Sequence, residues 1–262
     1  MAVKSLPAFS CSNLSKDFVE KEGSLAALRD VTFSIAHGEF VCVLGPSGCG
    51  KSTLLRLIAG LLAQSSGEMH FARVRAGRPR TAMVFQNQGL FPWMKVLDNV
   101  AFGLEMQGVN RTLRVAKAQD FLEKVGLQGF GDAYPHTLSG GMRQRVGILR
   151  AFLADPEILL MDEPFGMLDA QTRIVMQEEL LNLWQQRRHT VVYVTHDIEE
   201  AIILGDRILV MSGRPGTILA DIPVKLSRPR RRERLLARAT TLRLRIWHML
   251  RDEVARDLGM TS

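Results

Sequence analysis

The sequence predicts an α/β fold with a mostly parallel core sheet, and three observations carry that prediction. Phe40-Val41-Cys42-Val43-Leu44, Ile158-Leu159-Leu160-Met161 and Thr190-Val191-Val192-Tyr193-Val194-Thr195 are apolar runs of strand length, as strands buried on both faces are. Each stops at chemistry: a glycine-rich stretch at Gly45, the pair Asp162-Glu163, and His196. Ligands of open parallel sheets bind at the carboxyl ends of the strands, so these three stops belong on one edge.

In order along the chain, residues 8–40 read as short strands and turns. Phe9, Val31, Phe33 and Ile35 alternate with polar residues, the pattern of a half-buried antiparallel sheet, and Gly23-Ser24 and His37-Gly38 supply turns. Phe18 fits either a core position or a platform for a base. Gly45-Pro46-Ser47-Gly48-Cys49-Gly50-Lys51-Ser52 fits G-x-x-x-x-G-K-[ST] between a strand and a helix that runs from Ser52 to Ile58. In such a loop, backbone N–H groups turn toward phosphate oxygens and the helix adds its positive end. Lys51 would reach the β- and γ-phosphates and Ser52 would hold Mg²⁺.

Ser65-Ser66-Gly67-Glu68 reads as a turn, and the arginine-rich residues 68–81 as an exposed β-hairpin. Met83-Val84-Phe85 is a strand followed by Gln86, an amide able to bind Mg²⁺ or position water. Leu90, Phe91 and Trp93 then sit in a Gly/Pro-punctuated loop, pinned to the core or presented for docking. Residues 95–107 and 111–126 read as helices, the second with Ala118, Phe121, Leu122 and Val125 on one face, closed by Gly126, Gly129 and Gly131. Ser139-Gly140-Gly141 opens another helix and makes a second possible anion site. Two such sites imply two ligands, or one ligand shared by two chains.

Two carboxylates at the end of a buried strand are costly without a task. Asp162 would meet Mg²⁺, and Glu163 would act as general base on an attacking water. Residues 170–187 form a helix with Ile174, Leu181 and Trp184 near one face. His196 ends a core strand, and Asp197 with Glu200 suggests a capping box for the next helix. Arg207–Met211 is a strand, Gly213–Gly216 a turn, and Thr217–Val224 the returning partner of a hairpin. Glu233–Leu258 reads as a helix with Leu235, Leu242, Ile246 and Met249 on one face.

The bulk numbers are those of a soluble globular chain: 262 residues, 46% hydrophobic and 23% charged. No run reaches bilayer length and the N-terminus lacks the apolar core of a secretory signal, so the reading is cytosolic. Cys11, Cys42 and Cys49 show neither metal-ligand spacing nor a disulfide framework, and Cys49 reads as a small filler of the loop. Net charge is +7, with excess arginine after residue 227: Arg228, Arg230, Arg231, Arg232, Arg234, Arg238, Arg243 and Arg245. A solvated helix face is the ordinary meaning of such a run.

Together the motifs resemble those of the ATP-binding subunits of ABC transporters, over nearly the whole chain. Gly45–Ser52 matches the Walker A loop, Gln86 the Q-loop glutamine, and Leu138-Ser139-Gly140-Gly141-Met142-Arg143-Gln144 the signature. Asp162 and Glu163 match Walker B and the catalytic glutamate, Leu168-Asp169 the D-loop, His196 the switch histidine, and Phe18 the base-stacking aromatic. Gly89-Leu90-Phe91-Pro92-Trp93, Val96–Val100, Asp132–His136, Met161–Gly166 and Ser212-Gly213-Arg214-Pro215-Gly216 are similar to the nitrate/sulfonate/taurine importer family. The chain departs from that family at Met167, at Gly147-Ile148-Leu149 and in a short basic segment between 68 and 82.

The resemblance implies a P-loop NTPase ABC-type cassette with a mostly parallel core sheet, an antiparallel β subdomain and an α-helical subdomain at about 90–155. The cassette would span 1–227, with a basic helical extension over 228–262. ATP and Mg²⁺ are the implied cofactors, with Gly45 to Ser52, Thr53, Ser139, Gly140 and Gly141 on the nucleotide, and Ser52, Gln86 and Asp162 on the metal. Glu163, His196 and Gln86 carry catalysis. The implied partners are a second cassette, identical or paralogous, transmembrane permease subunits and, indirectly, an external solute-binding protein, at the cytoplasmic face of the bacterial inner membrane. The other class is a soluble ABC ATPase acting on ribosomes or nucleic acid. Its translation-type members carry two cassettes in one chain and its DNA-repair members a long coiled coil between motifs. Neither is present, so no nucleic acid is expected.

Overall fold

The computed structural model describes residues 6–20, 23–74, 76–86, 89–230 and 239–257. The chain divides into two compact units, one formed by Met1–Ala72 with Thr190–Ser262 and the other by Arg73–His189.

The first unit holds two sheets. In one, β1 (Phe9–Glu20) lies between β2 (Gly23–Ile35) and β4 (Ser66–Phe71), all antiparallel. The alternation at Phe9, Val31, Phe33 and Ile35 is realised, each of the four being buried. The strands are long, not short, because the register continues through bulges near Leu14 and Lys16 instead of breaking into turns. The expected turn at Ser65–Glu68 and hairpin at 68–81 are not formed. Ser66 already begins β4, which pairs with β1 from Ser66 opposite Ser15 to Phe71 opposite Phe9, and no strand follows before Thr81 among the described residues. The main-chain groups of this weakly apolar segment find their partners in β1, a distant part of the chain that local composition does not reveal.

The second sheet of this unit is built on β3 (Phe40–Leu44), flanked in parallel by β7 (Thr190–Thr195) and β8 (Arg207–Met211). Strand β9 (Ile218–Pro223) returns antiparallel to β8, closing the expected hairpin. Every residue of β3 and β7 is buried, as parallel strands covered on both faces require. Helix α1 (Lys51–Ile58) follows β3, and α6 (Ile198–Leu204) follows β7.

The C-terminal arginines correct the reading of a solvated face. Arg230 is 9% exposed, and its guanidinium donates to the carbonyls of Ile202, Ile203, Gly205, Val224 and Leu226. Arg228 donates to Asp206 Oδ1 at 2.8 and 3.0 Å and to the Leu204 carbonyl. The two guanidiniums thus take the carbonyls at the C-terminal end of α6, where the helix dipole favours a cation. Burial, then the neighbouring Arg228, brings Arg230 down to about 10. Arg243 and Arg245 are exposed on the last helix, whereas Arg231, Arg232, Arg234, Arg238 and Leu235 lie outside the described residues. That helix, α7, runs Thr240–Asp257, so its described start is later than Glu233. Ile246 is buried in it, and Arg243 pairs with Glu199 of α6 at 3.2 Å.

In the second unit β5 (Thr81–Val84) pairs in parallel with β6 (Ile158–Asp162). Helices α2 (Val96–Met106), α3 (Arg111–Lys124) and α4 (Gly140–Leu153) precede β6, and α5 (Ala170–Arg187) follows it. α2 and α4 approach so closely that a Cβ on Gly103 would stand 2.6 Å from that of Ala154. The core of α5 is Met176, Leu180, Leu181, Leu183 and Trp184, while Ile174 is only half-buried. Among the described residues no helix is long and apolar enough to cross a membrane.

Candidate functional site

In the first unit the phosphate-loop motif leaves the end of β3 and His196 leaves the end of β7. Leu44 stands opposite Thr195 in the parallel register, so the two segments emerge from neighbouring strands at one level. Gly50, the N-cap of α1, has φ 100°, a left-handed conformation, and a Cβ there would strike the Ala27 carbonyl oxygen at 2.8 Å. Helix α1 opens with no capping side chain and no acidic residue in its first turn. Its end therefore carries its positive dipole with no carboxylate of its own first turn to offset it, as an anion site would.

Lys51 is 5% exposed, and its ammonium donates to the carbonyls of Gly45 at 2.9 Å and Pro46 at 2.8 Å. The loop's own backbone thus holds the charge at the start of α1. Ser52 and Thr53 are half-buried at the start of the helix. Cys49 is 1% exposed, and a Cβ on Gly45 would come within 2.9 Å of its sulfur, so it fills space as expected. Phe18 is half-buried in β1, with the Lys16 ammonium 5.2 Å from its ring centre.

His196 is exposed, and the groups on either side of it are fixed. The Thr195 hydroxyl accepts the Asp197 N–H at 3.0 Å and donates to the buried Glu200 carboxylate. Asp197 caps α6, accepting the N–H groups of Glu199 at 2.8 Å and Glu200 at 3.1 Å. The Asp197 half of the expected capping box is thus formed, and the N-cap N–H also meets the Thr195 hydroxyl, which bonds the Glu200 side chain.

In the second unit β5 and β6 run parallel with Val84 opposite Met161, so the segments reaching Gln86 and Glu163 leave the same edge. Gln86 is exposed and stands two residues beyond β5, because the strand ends at Val84 and not at Phe85. Asp162, 5% exposed, closes β6. Glu163 follows at φ 43°, inside a turn closed by the Gly166 N–H on the Glu163 carbonyl at 3.1 Å. A non-glycine residue in that region is strained by roughly 1 kcal/mol or more, a cost that structures tolerate where a side chain must be aimed.

Ser139 is exposed and caps α4, accepting the Met142 N–H at 3.2 Å, with Gly140 and Gly141 in the first turn and no acid there. Asp169 caps α5 through the N–H groups of Gln171 at 3.1 Å and Thr172 at 3.0 Å. The Thr172 amide, and then its hydroxyl, hold the Asp169 carboxyl below its ordinary value.

Two residues acquire roles that the sequence reading had not given them. Asn99 is fully buried and accepts the Phe91 N–H at 2.9 Å while its amide donates to the carbonyls of Phe91, Met94 and Lys95. It holds a loop in which Phe91 packs on Phe102 at 4.7 Å while Trp93 stays 73% exposed. The available signal was a polar residue on the apolar face of Val96, Val100 and Leu104. The other is Arg214, in the turn between β8 and β9, whose guanidinium donates to the Gly48 carbonyl of the phosphate loop.

Residues 28–166 match the family model described as ABC transporter. The chain is 45% identical, over 94% of its length and 92% of the relative's, to the uncharacterized ABC transporter ATP-binding protein MJ0412 of Methanocaldococcus jannaschii. It is 48% identical to the nitrate import ATP-binding protein NrtD of Synechocystis, covering 82% of each chain. It is also 48% identical to the taurine import ATP-binding protein TauB of Escherichia coli, over 79% of this chain and 82% of that one. Among solved structures, the dimeric structure of MJ0796, a bacterial ABC transporter cassette, superposes with a TM-score of 0.74 at 31% identity, over 84% of this chain and 100% of that one. A post-hydrolysis state of the same cassette, bound to ADP and Pi, gives a TM-score of 0.73.

Proposed function

Because the chain belongs to the ABC transporter family and is an ATP-hydrolysing cassette of it, we propose that it powers uptake of a small anionic solute, of the nitrate, sulfonate or taurine kind, through a membrane permease. The observation that carries the reading is the start of α1 after the glycine loop, with neither a capping side chain nor an acid in its first turn and with the Lys51 ammonium held on the loop's own carbonyls. Relatives named for nitrate and taurine import support the solute class. The cassette works at the cytoplasmic face of the membrane, paired with a second one, and each ATP lies between one chain's Gly45–Thr53 and the other's Ser139-Gly140-Gly141.

Lys51 binds the β- and γ-phosphates, and Phe18 stacks on the base. Glu163 takes a proton from the attacking water, His196 stabilises the γ-phosphate, and Gln86 senses it. The Ser52 hydroxyl, the Asp162 carboxylate and the Gln86 amide oxygen are hard donors of the type Mg²⁺ accepts. Bound there, Mg²⁺ would neutralise charge on the β- and γ-phosphates. The exposed Trp93, on a loop held by Asn99, docks against the permease.

Glu163→Gln is expected to lower ATP hydrolysis about 100-fold or more and to trap an ATP-bound dimer on size exclusion. A variant that turns over at the wild-type rate would remove Glu163 as the base. Affinity capture from detergent-solubilised native membranes should bring down a polytopic membrane subunit, and the matching binding protein should then take nitrate, sulfonates or taurine. Ribosomal proteins in its place would overturn the importer reading.

A further inference from the structure

The geometry points to Arg214 as a positioning residue of the nucleotide site, acting on the phosphate loop from behind through the Gly48 carbonyl. The inference rests on the reading of Gly45–Ser52 as the ATP phosphate cradle. Arg214 Nε and Nη2 both donate to that one carbonyl oxygen, at 3.3 and 3.2 Å. A trans peptide is planar, so the carbonyl of Gly48 and the N–H of Cys49 point in opposite directions. A cation that holds the carbonyl outward turns the Cys49 N–H into the cradle. It also polarises that N–H, because hydrogen bonds strung through one peptide strengthen each other.

The turn that carries Arg214 is built to stay in place. The Ser212 hydroxyl donates to the carbonyls of Gly213 at 2.9 Å and Pro215 at 3.1 Å, and accepts the Thr217 N–H at 2.8 Å. Gly216 exchanges bonds with β2, its N–H on the Ala27 carbonyl and its own carbonyl on the Arg29 N–H, both at 3.0 Å. A Cβ on Gly216 would sit 2.0 Å from the Cys49 carbonyl oxygen, so the turn lies directly against the loop, and only glycine fits there. From α7, the Glu253 carboxylate, 7% exposed, accepts the Gly213 N–H at 2.9 Å. The C-terminal helix is therefore joined to the phosphate loop by Glu253, Gly213, Arg214 and Gly48 in sequence.

Arg214 itself is exposed, so its replacement removes the bond without opening the core. The test is titration of the full chain with fluorescent ADP and fluorescent AMP, for wild type, Arg214→Ala and Arg214→Gln. The cradle serves the β-phosphate and Arg214 acts on it through one peptide, so Arg214→Ala should weaken ADP about five- to tenfold, the net worth of one ordinary hydrogen bond. AMP binding and the melting temperature without nucleotide should stay at the wild-type values. Arg214→Gln keeps a neutral donor and should recover part of the ADP affinity. The Ala deficit should persist at about 1 M salt, where screening falls to about 3 Å.

Equal ADP affinity for wild type and Arg214→Ala overturns the inference and leaves the cassette reading intact. So does a deficit that vanishes in high salt, which would make Arg214 a distant charge and not a holder of the carbonyl. A wild-type chain that binds ADP no better than AMP overturns the phosphate cradle and the inference together.

Discussion

Helices α1 and α6 start at the ends of parallel strands in the same unit, and they start differently. α6 is capped by its own chain: Asp197 accepts two N–H groups and two acids, Glu199 and Glu200, lie in its first turn. α1 has no capping side chain and no acid, and a left-handed glycine stands where Asp197 stands in α6. Both ends carry the same dipole. The difference is who supplies the negative charge. In α6 carboxylates of the helix's own start supply it, whereas the start of α1 supplies none. α5 belongs with α6, since Asp169 caps it.

The sharpest way to break this comparison is to remove the cation that α1 adds to its dipole. Lys51→Ala should cost about 100-fold or more in ATP turnover, the scale of losing one donor aimed at the reacting charge. Because Lys51 is bonded to the Gly45 and Pro46 carbonyls, the loop should also loosen, read as faster amide exchange over 45–50. Normal turnover in Lys51→Ala would mean that α1 is an ordinary helix start. A smaller effect is expected at the other start. Asp197→Ala should lower stability by about 1 kcal/mol, the usual worth of an N-cap, measured by urea denaturation. Its ADP affinity should fall far less than that of Lys51→Ala. A binding loss as large as that of Lys51→Ala would erase the distinction between the two helix starts.

How much of this was legible in the sequence depended on where each segment finds its partners. β7, β8 and α5 fall on the expected residues, because continuous apolar runs and Gly/Pro punctuation mark them locally. The glycine loop and the stops at Asp162 and His196 were legible for the same reason. β4 was not, since Ser66–Phe71 has little apolar content and is organised by pairing with β1. Arg230 was not, since an arginine in a basic run suggests solvent, and its carbonyl partners on α6 stand more than twenty residues earlier. Asn99 and Arg214 act on backbone carbonyls, which no composition records. Local patterns expose strands and loops, while contacts to distant backbone show only in the fold.

The weakest of the expected effects separates α5 from α1 by pH. Hydrogen bonds from the Thr172 amide, then its hydroxyl, and from the Gln171 amide hold the Asp169 carboxyl below its ordinary value of 3.8 in the folded chain. Between that folded value and 3.8 the unfolded chain binds more protons than the folded one, so stability falls as acid is added. The contribution is fully present above the unfolded value and is lost as pH falls through the folded one. Asp169→Asn keeps an acceptor at the N-cap and abolishes the titration. Its urea midpoint should therefore match the wild type near pH 7 and fall less steeply than the wild type below about pH 4. α1 holds no carboxylate at its start, so no matching acid-dependent step should come from it in the nucleotide-free chain. Parallel acid curves for the wild type and Asp169→Asn would show that Asp169 caps α5 as a neutral acceptor, leaving the dipole of that helix unpaired with charge.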